Sequence, residues 1–247
     1  MNNLFFLNLP SDFAAPVTAV ENRLIIEYGA MFVARGGAVV PGSIIFQDDS
    51  EVEAFQNSVE IGSANIGEFA LDLQAVAMKA LLAAIAEAED AGLTITPRSG
   101  DSARRDYAMT VELWASRVEP ALDHWTQEGR LDPLQTTRIR DLSPVDQVPE
   151  IFALEDQGIY FAKDLSKSII YSVAPPGASQ HLAMLAFDVA EFVDQKVREI
   201  LARHCWYQTV VSDLPHFTFL GVVEEELPAL GLKKVASGEF QFWVPDL

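Results

Sequence analysis

The chain has a single cysteine, Cys205, and few basic residues. One cysteine excludes an internal disulfide and a cysteine-rich zinc cluster. Lys and Arg number 17 against 36 Asp and Glu, which gives a net charge of −19 and an isoelectric point near 4.4. Binding to nucleic acid or to an anionic membrane surface requires clustered cations, and no such cluster is present. Both classes of partner are therefore excluded.

Long uninterrupted hydrophobic runs are also missing. The most apolar stretch, residues 70–86, contains Asp72, Gln74 and Lys79, so it predicts a buried helix and no membrane span. The first residues, MNNLFFLNLPSDF, lack the basic region and long apolar region of a secretory signal. Export would therefore need a leader outside this sequence or another route.

The composition is that of a folded protein, with 49% apolar and 21% charged residues. Strand-like and helix-like segments alternate without a regular βαβ order, which predicts an α+β fold. We expect a β-rich N-terminal extension over 1–66, packed on a larger domain over 67–247 that holds a small antiparallel sheet flanked by helices. The predicted helices are 67–90, 103–117, 120–127 and 194–204, with helix-and-loop structure over 129–157. The predicted strands are 23–28, 31–34, 43–47, 93–96, 158–162, 168–173, 185–192 and an antiparallel pair, 206–211 and 217–223.

Two of the four histidines, His181 and His216, have acidic residues nearby in the sequence, at spacings that a metal site could use. Asp188 follows His181 by seven residues, and Asp213 precedes His216 by three. A catalytic zinc site needs three nitrogen or oxygen ligands and one open position, which His181, Asp188 and His216 can supply. Asp213 is placed to accept a proton from an activated water. Spacing alone is weak evidence, because most His–Asp pairs at such a spacing are ordinary surface or hydrogen-bonded residues.

The residues around these histidines also resemble two linked family motifs. The segment SQHLAMLAFD, residues 179–188, resembles the SxHxxGxAxD signature of the zinc D-Ala-D-Ala carboxypeptidases, the VanY-like peptidoglycan peptidases. The segment DLPHF, residues 213–217, is similar to the second signature, an acidic residue, two others, then histidine and an aromatic residue. The order and separation of the two motifs also match the family.

The resemblance implies a role for each site residue. His181, Asp188 and His216 would bind Zn²⁺, and Asp213 would act as general base and then as general acid. The segment PRS, residues 97–99, resembles a Tyr-Arg-Ser element whose arginine stabilises the oxyanion, which selects Arg98, with Arg105 as the alternative. The implied substrate is a peptidoglycan stem peptide, which places the protein in the periplasm or outside the cell.

The role of Ser179, the first residue of the SxH motif, has two interpretations. It could orient a ligand or bind a substrate carboxylate. The alternative is a turn cap.

The sequence departs from the family pattern at three positions. Met184 replaces a glycine, Pro97 replaces the aromatic residue of the arginine element, and Asp213 replaces a glutamate. An aspartate before Leu-Pro-His-Phe resembles the relatives that cut the L-Ala–D-Glu bond. Three alternatives to a carboxypeptidase therefore stay open: an L-Ala–D-Glu endopeptidase, a non-catalytic zinc-containing module that binds wall peptides, and an intracellular dipeptidase of the same fold.

Overall fold

The computed structural model describes residues 3–247 and has an α+β architecture, as the sequence predicts. None of the helices in this described range combines the length and the apolar character needed to cross a membrane. The helices are α1 Leu4–Asn8, α2 Ala19–Tyr28, α3 Asp49–Ser58, α4 Ala75–Asp90, α5 Tyr107–Gln127, α6 Pro133–Arg140, α7 Pro144–Glu155 and α8 Gln195–Arg203. The strands are β1 Ile61–Ile66, β2 Phe69–Gln74, β3 Ala186–Asp188, β4 Trp206–Gln208, β5 His216–Phe219, β6 Leu232–Ser237 and β7 Phe240–Pro245.

The central element is a three-stranded antiparallel sheet with the order β3-β5-β4. The predicted antiparallel pairing of segments 206–211 and 217–223 is confirmed, although the strands are shorter. Two separate hairpins, β1–β2 and β6–β7, accompany this sheet. In the pairing of β3 with β5, Asp188 lies opposite His216, which brings two predicted ligands together.

The strands predicted near the N-terminus are wrong. Segment 23–28 lies inside α2, segment 31–34 falls mainly in a short 3₁₀ helix, Gly29–Val33, and segment 43–47 is irregular. Thr18 and Glu21 form a reciprocal capping box at the start of α2, and Leu24, Ile25 and Tyr28 bury one helical face. A cap and a buried stripe outweigh the strand preference of isoleucine and tyrosine, because that preference depends on context.

Several other predicted boundaries need correction. Segment 67–90 divides into β2 and α4, and the two helices predicted over 103–127 are one helix, α5, that continues through Pro120. Its buried stripe of Trp114, Val118, Ala121 and Leu122 continues on both sides of the proline. Segments 93–96, 158–162 and 168–173 are not strands, and the last contains a 3₁₀ turn, Ile169–Tyr171. The helix α8 agrees with the prediction, and α6 and α7 lie within the segment 129–157, for which mixed helix-and-loop structure is predicted.

One hydrophobic cluster includes residues from both predicted parts of the chain. Phe5, Leu24 and Phe32 belong to the same buried cluster as Leu185 and Phe217. The predicted boundary at 66/67 coincides with the turn between β1 and β2. The N-terminal residues thus contribute directly to the packing behind the sheet that carries the site.

Candidate metal centre

The ligands predicted from the sequence lie on three adjoining elements. His181 is in a short 3₁₀ helix, Gln180–Ala183, that leads into β3. Asp188 ends β3, and His216 begins β5 directly opposite it. All three residues are buried, with at most 8% of their surface exposed. Their ligand atoms lie within 4.8 Å of one another.

Two of the three distances between ligand atoms match those around a tetrahedral metal. Oδ1 of Asp188 lies 3.3 Å from Nε2 of His181 and 3.3 Å from Nδ1 of His216. Zinc bonds of about 2.0–2.1 Å in a tetrahedron place any two ligand atoms about 3.3–3.4 Å apart. Direct N–H···O hydrogen bonds are shorter, commonly about 2.9–3.0 Å. The donor set of two imidazoles and one carboxylate therefore suits a metal ion in both chemistry and separation.

In each imidazole, the outward ring nitrogen, the one that does not face Asp188, has a hydrogen-bond acceptor of its own. Nδ1 of His181 lies 2.7 Å from the carbonyl oxygen of Ala103, and Nε2 of His216 lies 2.9 Å from Oε1 of Gln180. A neutral imidazole has one N–H, so donation to these oxygens leaves the inward nitrogens as lone-pair donors. Acceptors that bind the other ring nitrogen in this way fix the tautomer of metal-binding histidines.

The orientation of the Gln180 amide is itself determined by its neighbours. Nε2 of Gln180 donates to the carbonyl oxygen of Tyr28 at 2.8 Å, and Oε1 accepts from Oγ1 of Thr218 at 2.5 Å. A flipped amide would place the NH₂ group against the Thr218 hydroxyl and leave the Tyr28 carbonyl without its donor. Gln180 is therefore held as the acceptor for His216.

The electrostatics favour a charged Asp188 and a neutral His181. Burial lowers the pKa of His181, and this outweighs the attraction of Asp188 for its protonated form. Burial alone would raise the pKa of Asp188, but His181 and His216 together hold it well below its usual value. Oδ2 of Asp188 also accepts a hydrogen bond from Nη2 of Arg105 at 2.9 Å. An ionised carboxylate and a neutral imidazole are the forms that bind a metal.

The three ligands line a cleft of about 280 Å³ that also contains the other predicted site residues. Asp213, Arg98, Arg105 and Ser179 all line it. The Asp213 carbonyl accepts from the backbone N–H of His216 at 3.1 Å, which ties the predicted general base to a ligand. The exposed side chains of Asp213 and Arg98 form no hydrogen bond or ion pair with any residue in the range 3–247.

The other two predicted residues have different surroundings. Arg105 binds Asp188, and the side chain of Ser179 makes no capping hydrogen bond to the 3₁₀ helix that follows it. Ser179 occupies the N-cap position of this turn, and its hydroxyl is not used as a cap.

Met184 replaces the family glycine without disrupting the motif. Its backbone has φ of +54° and ψ of +34°, in the left-handed region that favours glycine. The side chain is completely buried, and the carbonyl of Met184 accepts a hydrogen bond from the N–H of Gln74. The position thus keeps the glycine-type backbone, and burial of the methionine offsets its strain.

Sequence reasoning missed a set of buried glutamines that support the irregular motif segment. Nε2 of Gln56 donates to the carbonyl oxygen of Leu182, and Nε2 of Gln74 donates to that of Ala183. Both glutamines are 2% exposed. Buried backbone carbonyls outside regular structure need such partners. An isolated glutamine has no diagnostic sequence pattern, so only its burial reveals this role.

Comparisons with models of known protein families, with curated proteins and with solved structures found no match. The likeness to zinc peptidases therefore depends on the two motifs and on the geometry that their residues adopt.

Proposed function

We propose that this protein is a zinc-dependent peptidase that hydrolyses peptidoglycan stem peptides, as a D-Ala-D-Ala carboxypeptidase. The observation that carries the proposal is the convergence of His181, Asp188 and His216 in one cleft, with the N–H of each imidazole directed outward. This is the donor arrangement that a catalytic zinc site requires. The order of the two motifs supports the peptidase family.

In this proposal a zinc ion bound by the three ligands supplies a Lewis acid for the scissile carbonyl and a water of lowered pKa. The Asp213 carboxylate takes the proton of the attacking water and returns it to the leaving amine. Arg98 stabilises the negative charge that develops on the carbonyl oxygen. Ser179 contributes a hydroxyl at the cleft wall that can bind the substrate.

The surroundings of the two candidate arginines favour Arg98 for the oxyanion role. Arg105 is already engaged by Asp188 at 2.9 Å and by Asp101 at 3.7 Å. Arg98 lines the cleft, is exposed and has no carboxylate partner within residues 3–247. A free guanidinium can bind a developing anion without first breaking an ion pair. In this assignment Arg105 holds Asp188 in its charged form.

Cleavage of the L-Ala–D-Glu bond is the second candidate, and Asp213 is the observation that favours it. The aspartate is one methylene shorter than the glutamate of the carboxypeptidases, and the segment DLPHF is similar to the endopeptidase relatives. Both activities would place the protein in the periplasm or outside the cell. A non-catalytic module that binds wall peptides has the same ligands but needs no general base.

A digest of a defined stem pentapeptide, free and sugar-linked, tests the proposal by mass spectrometry with and without a chelator. Loss of one alanine mass that the chelator abolishes supports the carboxypeptidase, and cleavage after the first residue supports the endopeptidase. Cleavage of a free dipeptide but of neither form of the pentapeptide would instead favour an intracellular dipeptidase. If zinc-loaded protein forms no product, the peptidase proposal is wrong and the binding module replaces it.

Asp213→Asn separates catalysis from metal binding. We expect a fall in kcat of about 10²- to 10⁴-fold, because the general base is lost while the three ligands remain. Zinc content, measured by elemental analysis, should stay at the wild-type value. Asp90→Asn, at an exposed position at the end of α4, is the matched control and should leave both quantities unchanged. Full activity in Asp213→Asn would reject Asp213 as the base.

A further inference from the structure

Arg117, on α5, is a second cleft arginine without a carboxylate partner in the described chain. Its Nε donates to Oγ of Ser172 at 2.9 Å, and its Nη1 donates to Oγ of Ser116 at 2.9 Å. Acidic residues outnumber basic ones by 36 to 17, and arginines such as Arg138 and Arg140 form close ion pairs. A cleft arginine that is bound only by hydroxyl groups is therefore available to an anion from outside.

The position of Arg117 on the helix puts it away from the metal ligands. Thr110, Leu113 and Arg117 follow one face of α5 at three- and four-residue steps, and all three line the cleft. Arg105, next to the metal ligand Asp188, immediately precedes this helix. From Tyr107 to Arg117 the helix rises about 15 Å. The long side chain leans toward the helix N-terminus, which shortens this separation, so we expect roughly 10–15 Å between the guanidinium and the start of α5 beside Arg105.

Ser172 completes a donor pair at this end of the cleft. Its Oγ accepts from Arg117, which leaves the hydroxyl hydrogen free to donate. Arg117 and Ser172 both line the cleft, and Tyr171 beside them is 46% exposed. A guanidinium with a neighbouring hydroxyl donor suits a planar carboxylate, because each carboxylate oxygen accepts its own hydrogen bond.

We propose that Arg117 and Ser172 form a carboxylate-binding subsite that selects acidic peptides. This inference rests on the proposed peptidase function and names the chemistry of its substrate. An extended peptide spans about 3.3–3.6 Å per residue, so a distance of roughly 10–15 Å corresponds to about three or four residues. The recognised carboxylate therefore lies several residues from the scissile bond. It is the α-carboxylate of D-Glu if the terminal bond is cut, and the C-terminal carboxylate if the L-Ala–D-Glu bond is cut.

The test uses the pentapeptide L-Ala-γ-D-Glu-L-Lys-D-Ala-D-Ala in three forms. The first has both carboxylates free, the second has the D-Glu α-carboxylate amidated, and the third has the C-terminus amidated. Zinc-loaded wild type should lose about 10- to 100-fold in kcat/KM for one amidated form, mainly through KM, because a charge-assisted hydrogen bond pair is lost. The amidated form whose loss of activity disappears in Arg117→Gln identifies the carboxylate that Arg117 binds.

Arg117→Gln should show the same fall in kcat/KM with the peptide whose carboxylates are both free, and no further fall with the amidated peptide. Arg117→Lys keeps the charge and should restore part of the preference for the acid, which a purely structural role of Arg117 would not do. Arg130→Gln is the matched control, because Arg130 is exposed, packs over Trp125 and lies outside the cleft. It should behave as wild type, and all variants should keep their zinc and their melting temperature.

Cleavage without an acid preference, or a preference that persists in Arg117→Gln, would overturn the subsite while the peptidase proposal stands. If wild type cleaves nothing, calorimetric titration with the same three peptides measures the preference at equilibrium. Preference for the acid that disappears in Arg117→Gln then supports the subsite without peptidase activity. Absence of both cleavage and binding would overturn both proposals.

Discussion

Gln180 offers a sharp test of the candidate metal centre, because it would act on a bound metal only through its contact with His216. Its Oε1 accepts from Nε2 of His216 at 2.9 Å, and its Nε2 donates to the buried carbonyl of Tyr28 at 2.8 Å. Gln180→Leu removes both contacts. Without the acceptor, His216 loses the bond that keeps Nδ1 free for the metal. Loss of such a partner typically lowers metal affinity about 10- to 100-fold, or about 1.4–2.7 kcal/mol.

Gln180→Leu also lowers the free energy of unfolding, by about 1–3 kcal/mol, because the Tyr28 carbonyl remains buried without its donor. Gln180→Glu separates the two effects. It loses the same donor, so it is also destabilised, but its carboxylate still accepts from His216. We expect Gln180→Glu to bind zinc at least as tightly as wild type, in contrast to Gln180→Leu.

Competition with a chromophoric chelator at pH 7.5 measures zinc affinity, and urea unfolding of the metal-free protein measures stability. Gln147→Leu is the matched control, because Gln147 is a buried glutamine that bonds to Trp114 and Ile139 away from the cleft. It should lose stability and keep its zinc affinity. Equal zinc affinities for Gln180→Leu and Gln147→Leu would refute the argument that Gln180 sets the His216 tautomer.

Three further predictions concern other parts of the site. In urea unfolding, Met184→Gly should destabilise the protein no more than Met184→Ala, because glycine relieves about 1–2 kcal/mol of left-handed backbone strain that alanine retains. A larger loss of stability for the glycine variant would contradict this. Burial lowers the pKa of His181, so near neutral and mildly acidic pH the unfolded chain binds more protons than the folded one. The free energy of unfolding of the metal-free protein should therefore fall as the pH drops below about 6.5, and His181→Asn should weaken this dependence. Arg98→Gln should lower kcat about 10²- to 10³-fold with unchanged zinc content, whereas an unchanged kcat would exclude an oxyanion role.

The sequence predicted α8 well, but over 129–157 it indicated only a mixture of helix and loop. In the structure α6, α7 and α8 each begin at an aspartate or serine whose side chain caps the helix. The same reasoning was wrong for segment 23–28, where isoleucines and a tyrosine suggested a strand. Tertiary packing decides such segments, because Leu24 and Ile25 become almost fully buried only on a helix.

The amino-acid sequence alone identified the side chains that could form the site. His181, Asp188, His216 and Asp213 were identifiable because their chemical types and short spacings are local features of two segments. The supporting residues were not, since the Ala103 carbonyl is 78 residues from His181 along the chain and Gln56 is 126 residues from Leu182. Only the folded chain brings such distant groups into contact. The pairing of Asp188 with His216 across β3 and β5 turns the two motifs into one site, and buried hydrogen bonds then orient its ligands.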